Sequence, residues 1–297
     1  MSISLQSILQ DNQSGSLTIT QHLLGYFNDK IRECIQRNQD AQQCYGVLMD
    51  ASRQVLKKQP NMALLRQCSS QFFSHFKRTL KAEKTSVQIF EDILGKLDQI
   101  QQKLEENLEQ ISSSGAKLIA AANNIMTISH STIVQHVFEK ALGQKKRFKV
   151  FNLKSHPPDE GVSFAEALGR SGIKTTLIAD AEMAVFMPDM HLVMIGADRI
   201  YENGFVNKAG TLPLCLTARY FNIPVYLVVE TWKILSEKDK AVKFIERDGK
   251  EIYDNSDNLL EVKNLYFESI PLEMVNKIVC ERGVFETHEF VDWYLKG

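Results

Sequence analysis

The densest cluster of chemistry-bearing residues is Gly196-Ala197-Asp198-Arg199-Ile200, followed by Asn203-Gly204 and Asn207-Lys208-Ala209-Gly210-Thr211. An apolar run, His191–Ile195, precedes it and reads as a buried strand that delivers Asp198 to its carboxyl end. A carboxylate at such a place can move a proton or orient a hydroxyl-rich ligand. A helix is expected to start near Asn207, with Lys208, Gly210 and Thr211 in its first turns. Helix N-termini present unpaired backbone N–H groups and the positive end of the dipole, so a phosphate would fit there. The same residues also read as a plain Asn203-Gly204 turn followed by an Asn207 helix cap, and the pattern alone does not choose. It is not a Walker loop, because GxxxxGK[ST] is absent, and without GxGxxG a dinucleotide cofactor is disfavoured.

Those residues need elements to position them. Five short apolar runs are read as strands: Asn124–Ser129, Phe148–Leu153, Lys174–Ala179, His191–Ile195 and Pro224–Val229. Amphipathic segments separate them, at Thr132–Leu142, Val162–Ser171, Ala181–Met187 and Asn207–Phe221. Such alternation predicts a Rossmann-like, doubly wound parallel sheet, whose crevice lies beyond the carboxyl ends of the strands. The tips then bring together Ser129-His130-Ser131, Lys154-Ser155-His156, Asp180, Asp198 and Glu230-Thr231.

The first half follows a different rule. From Val87 through Phe90, Ile93, Leu94, Leu97, Ile100, Leu104 and Leu108 to Ile111, apolar residues recur every three or four positions, one stripe of a long helix. Leu23, Phe27 and Ile31 share a face, as do Val47, Ala51 and Val55. Ser112, Ser113, Ser114 and Gly115 are expected to break the long helix. The chain therefore divides into a helical domain, 1–114, and an α/β domain, 115–297.

With 35 Lys and Arg against 36 Asp and Glu, the formal net charge of -1 gives no electrostatic grip on nucleic acid. No run approaches the roughly 18–20 apolar residues that cross a bilayer. The five cysteines, Cys34, Cys44, Cys68, Cys215 and Cys280, are odd in number and form no CxxC pair, so reduced, buried thiols in a cytoplasmic protein are expected. His22, His75, His136, His191 and His288 lack metal-ligand spacing. Lys145-Lys146-Arg147 reads as a solvated turn, Lys238–Asn258 as an excursion from the sheet, and Arg247-Asp248-Gly249-Lys250 within it as a hairpin signal.

The stretch GADRIYENGFVNKAGT closely resembles the signature of one family. That family joins the alpha, beta and delta regulatory subunits of eukaryotic translation initiation factor 2B to the aldose–ketose isomerases acting on methylthioribose 1-phosphate and ribose 1,5-bisphosphate. The resemblance extends through GIKTTLIADAEMAVFMPDMHLVMIGAD, Ile223-Pro224-Val225-Tyr226, Glu230-Thr231-Trp232-Lys233 and Arg282-Gly283-Val284-Phe285, covering about residues 119–297. It implies an N-terminal helical domain before a Rossmann-like one, and a homodimer or assembly with related subunits. It further implies a phosphorylated small molecule as ligand; with no metal-ligand spacing and no GxGxxG, neither a metal nor a cofactor is expected.

Set against the isomerases, the resemblance puts Ser129 where a catalytic cysteine stands, with Ile128 in place of the preceding histidine. Asp198 matches the acid/base aspartate. A thiolate can be tuned to serve as a base near neutral pH, whereas an unassisted serine hydroxyl cannot. His130 is the nearest substitute. His156, in Lys154-Ser155-His156-Pro157, takes the place of an arginine, and Gln59-Pro60-Asn61 and Ser14 stand where two further arginine positions are matched. Losing guanidinium forks weakens a phosphate site. Asn207, Lys208, Gly210 and Thr211 are retained, with Ser131 and His156 nearby. The expected function is therefore a factor 2B-like protein that binds a phosphorylated sugar or nucleotide without turnover. The alternative is an active isomerase in which Asp198 works with Ser129 or His130.

Overall fold

In the computed structural model, residues 3–12, 14–201, 203–235, 244–254 and 259–296 are described. They form two compact units, 1–107 and 108–297. The first is helical: α1 (Leu5–Gln10), α2 (Ser16–Gln36), α3 (Ala41–Lys58), α4 (Ala63–Thr79) and the first two thirds of α5 (Ser86–Lys117). Its core is aromatic, with Phe27 stacked on Phe72 at 5.2 Å and Tyr45 edge-on to Phe76. Phe90, Ile93, Leu97, Ile100, Leu104 and Ile111 are buried as their spacing predicts, while Val47 and Val87 lie off their stripes and are exposed.

The predicted helix break at Ser112–Gly115 does not occur, and α5 runs on to Lys117. Ser112 Oγ donates back to Leu108 O, so its hydroxyl is satisfied within the helix. Gly115 is needed for packing: a Cβ there would lie 2.9 Å from a Val137 methyl. Lys146 is not a solvated side chain either, because its ammonium donates to Ala116 O and Ile119 O at the end of α5.

The second unit continues β1 (Asn124–Thr127), α6 (Thr132–Gly143), β2 (Lys149–Leu153), α7 (Glu160–Arg170), β3 (Lys174–Ile178), α8 (Met183–Phe186) and β4 (Leu192–Ile195). Then come β5 (Arg199–Tyr201), β6 (Gly204–Lys208), α9 (Thr211–Tyr220), β7 (Val225–Val228), β8 (Phe267–Pro271), β9 (Lys277–Cys280), β10 (Gly283–Glu286) and α10 (Thr287–Lys296). Seven strands pair in the order β10-β9-β7-β4-β1-β2-β3, parallel except for β10. The chain runs outward from β1 to β3, then starts again on the other side with β4, so the topological switch point lies between β1 and β4. Met126, Ile128, Phe151, Leu153, Val193 and Ile195 turn one face of the sheet toward Leu214, Cys215 and Ala218 of α9. On the other, Asn152 Nδ2 donates to Gly161 O of α7.

A second sheet, β5-β6-β8, is antiparallel and was not expected. It overturns the predicted helix start at Asn207: residues 204–208 are a strand, and α9 begins at Thr211. Phe205 and Val206 pair with Ile270 and Ser269, so tertiary pairing overrides the cap-like Asn207. The hairpin signal at Arg247–Lys250 is also overturned. Gly249–Glu251 forms one 3-10 turn, with Asp248 accepting from the Lys250 amide. Residues 238–243 and 255–258 of the expected excursion lie outside those described. Among the described residues, no helix is long and apolar enough to cross a membrane.

Candidate functional site

At the tip of β1, Ser129 turns the backbone into the left-handed region, with φ of 66°. Its N–H donates to Ser155 Oγ at 2.8 Å, and Ser155, itself at φ 64°, passes a hydrogen bond to Leu153 O. Two non-glycine residues in this conformation each cost on the order of 1 kcal/mol, and their mutual bond offsets part of that cost. The turn aims Ser129 Oγ at Glu160, the first residue of α7, to which it donates at 2.8 Å.

Glu160 also holds Lys208. The ammonium at the end of β6 lies 3.2 Å from one carboxylate oxygen and 3.3 Å from the other, and donates to Pro157 O as well. It stands 4.8 Å from the centre of the Tyr266 ring. The pair is almost sealed, with side chains 4% and 7% exposed. Burial pushes the Glu160 carboxyl up and Lys208 pulls it partly back; burial pushes the Lys208 ammonium down, opposed chiefly by Glu160.

Three further carboxylates occupy backbone donors at the strand ends. Asp180, after β3, accepts from the N–H groups of Ser155 and His156 at 2.8 and 2.9 Å. Glu268, on β8, accepts from Gly210 and Leu212 N–H at 2.8 and 2.9 Å, filling the N-terminus of α9. Glu281, after β9, accepts from Thr231 N–H at 3.1 Å and from its hydroxyl. The donors that the sequence reserved for an anionic ligand are thus largely engaged by the protein's own carboxylates.

The remaining predicted residues are placed as follows. Gly210 has φ of 102°, a conformation that favours glycine. Asn207 donates to Thr211 Oγ1 at 3.0 Å, and Thr211 donates to Lys208 O, so both brace the strand-to-helix turn. Ser131 caps α6, its Oγ accepting from Val134 N–H, and sits where a Cβ on Gly196 would be 2.6 Å away. That glycine lets the tips of β1 and β4 approach. His130 bonds through Nδ1 to Ser163 Oγ at 3.2 Å and lies 5.0 Å from Phe164, ring to ring. His156 faces Asp159 at 2.7 Å, which Lys154 also contacts.

Asp198 is half-buried and tied to another group. Its N–H donates to Val206 O, and the wholly buried Lys233, which donates to Ala197 O at 2.6 Å, interacts electrostatically with it. Burial pushes Lys233 down, while Asp198 and Glu230 pull it up. The structure therefore joins Ser129 to Glu160 and Lys208, while Asp198 acts on Lys233 electrostatically. Glu160, Glu268, Glu281 and Lys233 were not recognised from the sequence as site groups. Glu160 had one local signal, an acidic residue after Pro157-Pro158 at a helix start. Among the described residues, no cluster of three or more His, Cys, Asp or Glu could hold a metal ion.

A helical unit followed by a mostly parallel sheet, with polar strand tips on the side of its switch point, defines a mixed α/β protein of Rossmann-like topology. The chain belongs to the Initiation factor 2 subunit family, whose model matches residues 13–287. A translation initiation factor eIF-2B subunit 2-like protein of Pyrococcus horikoshii is 36% identical over 184 residues, 61% of this chain and 64% of that relative. The ribose 1,5-bisphosphate isomerase of Thermococcus kodakarensis is 32% identical over 196 residues, 63% and 61% of the two chains. The matches thus span less than two thirds of these curated relatives. The crystal structure of Pyrococcus horikoshii eIF-2B superposes with a TM-score of 0.78 at 26% identity, covering 95% of each chain. The 5-methylthioribose 1-phosphate isomerase of the same organism shares the fold, with a TM-score of 0.77 at 19% identity over 99% and 87%.

Proposed function

We propose that this chain is a factor 2B-like subunit that binds a phosphorylated small molecule as a regulatory ligand and does not isomerise it. The Ser129–Glu160–Lys208 chain carries this reading. Isomerisation between adjacent carbons needs a base free to take a proton near neutral pH. At the position matched to the isomerase cysteine, this chain offers a hydroxyl already donated to a carboxylate. Both oxygens of that carboxylate lie against Lys208. In this reading the protein works through contacts with a second copy or with related subunits, in the cytoplasm. Ligand binding stabilises the bound form by linkage.

One observation favours a second reading as isomerase. Glu160 is a buried carboxyl pushed up from its ordinary range beside the crevice, a kind of group that serves as a proton-transfer base elsewhere. The non-turnover reading is preferred because Glu160 is engaged by both Ser129 and Lys208.

Binding is tested by thermal unfolding with ribose 1,5-bisphosphate or methylthioribose 1-phosphate. A ligand-dependent rise in Tm that disappears in Lys208→Ala is expected. No rise with either compound, or a rise of equal size in Lys208→Ala, would contradict the ligand assignment.

A further inference from the structure

Lys208 is the one cation of the Ser129–Glu160–Lys208 chain, and its surroundings are acidic. Glu160 contacts it from the start of α7, and Asp180, after β3, and Glu251, on the 249–251 turn, both act on it electrostatically. The Tyr266 ring and Pro157 O close two more directions. Lys154 and His156, the other basic groups of the β2 tip, are both drawn to Asp159. A phosphate group carries nearly two negative charges at neutral pH. Its approach to Lys208 therefore meets a resident carboxylate in direct contact with the same ammonium. Two anions can share one buried lysine only at the cost of strong mutual repulsion in this poorly solvated place.

Resting on the reading of the crevice as a site for a phosphorylated ligand, we infer that Glu160 is the residue that sets its affinity. Glu160 occupies Lys208 in the ligand's absence, and the ligand's phosphate must displace it. The crevice is consequently a weaker anion site than its retained lysine suggests, and the weakness resides in one side chain. Glu268 does not substitute for it, because Glu268 caps backbone donors of α9 rather than Lys208.

The experiment is calorimetric titration of the full chain with ribose 1,5-bisphosphate, with inorganic phosphate as a second probe. Wild type is compared with Glu160→Gln, Glu160→Ala and Glu160→Gln/Lys208→Met, each checked for native circular dichroism. Both neutral single variants should bind at least tenfold more tightly than wild type, and the double variant should lose that gain. Two neutral replacements guard against one failing to fold. If wild type binds and the folded neutral variants bind no more tightly, or if the gain survives without Lys208, the assignment to Glu160 is overturned while the ligand reading stands. If wild type and both neutral variants all fail to bind either probe, the ligand reading itself falls, and this inference with it.

Discussion

Removing one member of the Glu160–Lys208 pair is expected to cost unit 108–297 far more than removing both. With side chains 4% and 7% exposed, neither charge can recover its hydration if its partner is lost. Lys208→Met leaves Glu160 with the Ser129 hydroxyl, and Glu160→Leu leaves Lys208 with Pro157 O. Each single change is therefore expected to cost about 3–5 kcal/mol, the range for an abandoned buried charge. In the double variant no charge is stranded, and its cost should fall below the sum of the singles by at least about 2 kcal/mol. Urea unfolding followed by tryptophan fluorescence measures this directly, because Trp232 and Trp293 both belong to this unit. Single costs under about 1 kcal/mol that simply add would mean an exposed pair and would refute the placement.

The pair also sets a pH dependence. Glu160 is raised, so its contribution is fully present below the unfolded carboxyl's pKa and is lost as pH climbs through the folded value. Lys208 is lowered, so the folded state binds fewer protons than the unfolded one above the folded value, and stability recovers as pH rises toward the ordinary lysine range. The double variant should flatten both arms.

Other perturbations test the frame around the site. Gly161→Ala would place a Cβ 2.0 Å from Leu153 O and 2.7 Å from Lys154 O, both backbone atoms, and should cost about 3 kcal/mol or more. Gly169→Ala on the same helix meets nothing within 4 Å and should be neutral or stabilising by up to about 1 kcal/mol in the same urea assay. Glu268→Ala uncovers the start of α9 and should cost about 1–2 kcal/mol, with faster amide exchange at Gly210 and Leu212. All five cysteines are buried, and burial pushes the Cys215 thiol up to about 12 and Cys280 up to about 11. Iodoacetamide at pH 8 should leave the native protein unlabelled and modify five thiols after unfolding; rapid labelling of any cysteine would contradict the packing.

Five of the six parallel strands were legible because each is a short apolar run between amphipathic segments, and these five appear within two residues of their expected ends, whereas β9 was not among those expected. The second sheet was not legible. Gly204–Lys208 and Phe267–Pro271 are too short and mixed in character to declare themselves, and pair across sixty residues of chain. The same long-range pairing hid the site's defining feature. Lys208 stood out as a cation two residues before Gly210, but its partner Glu160 lies 48 residues away on α7. Glu268, which fills the start of α9, sits on the unrecognised strand. Local pattern showed donors suited to an anion, and only the fold revealed that internal carboxylates already meet them. The helix break at Ser112–Gly115 failed for a related reason: small residues that weaken an isolated helix permit close packing against Val137.

The proposed function keeps the fold of the isomerases without their chemistry. It is tested most directly by a proton NMR time course of the purified protein with ribose 1,5-bisphosphate and with methylthioribose 1-phosphate, beside Asp198→Asn and Glu160→Gln controls. No ketose product is expected from either substrate at any protein concentration that gives a binding signal. Ketose that accumulates with wild type and disappears in either control would contradict it. The control that abolishes the product would also name the group that moves the proton.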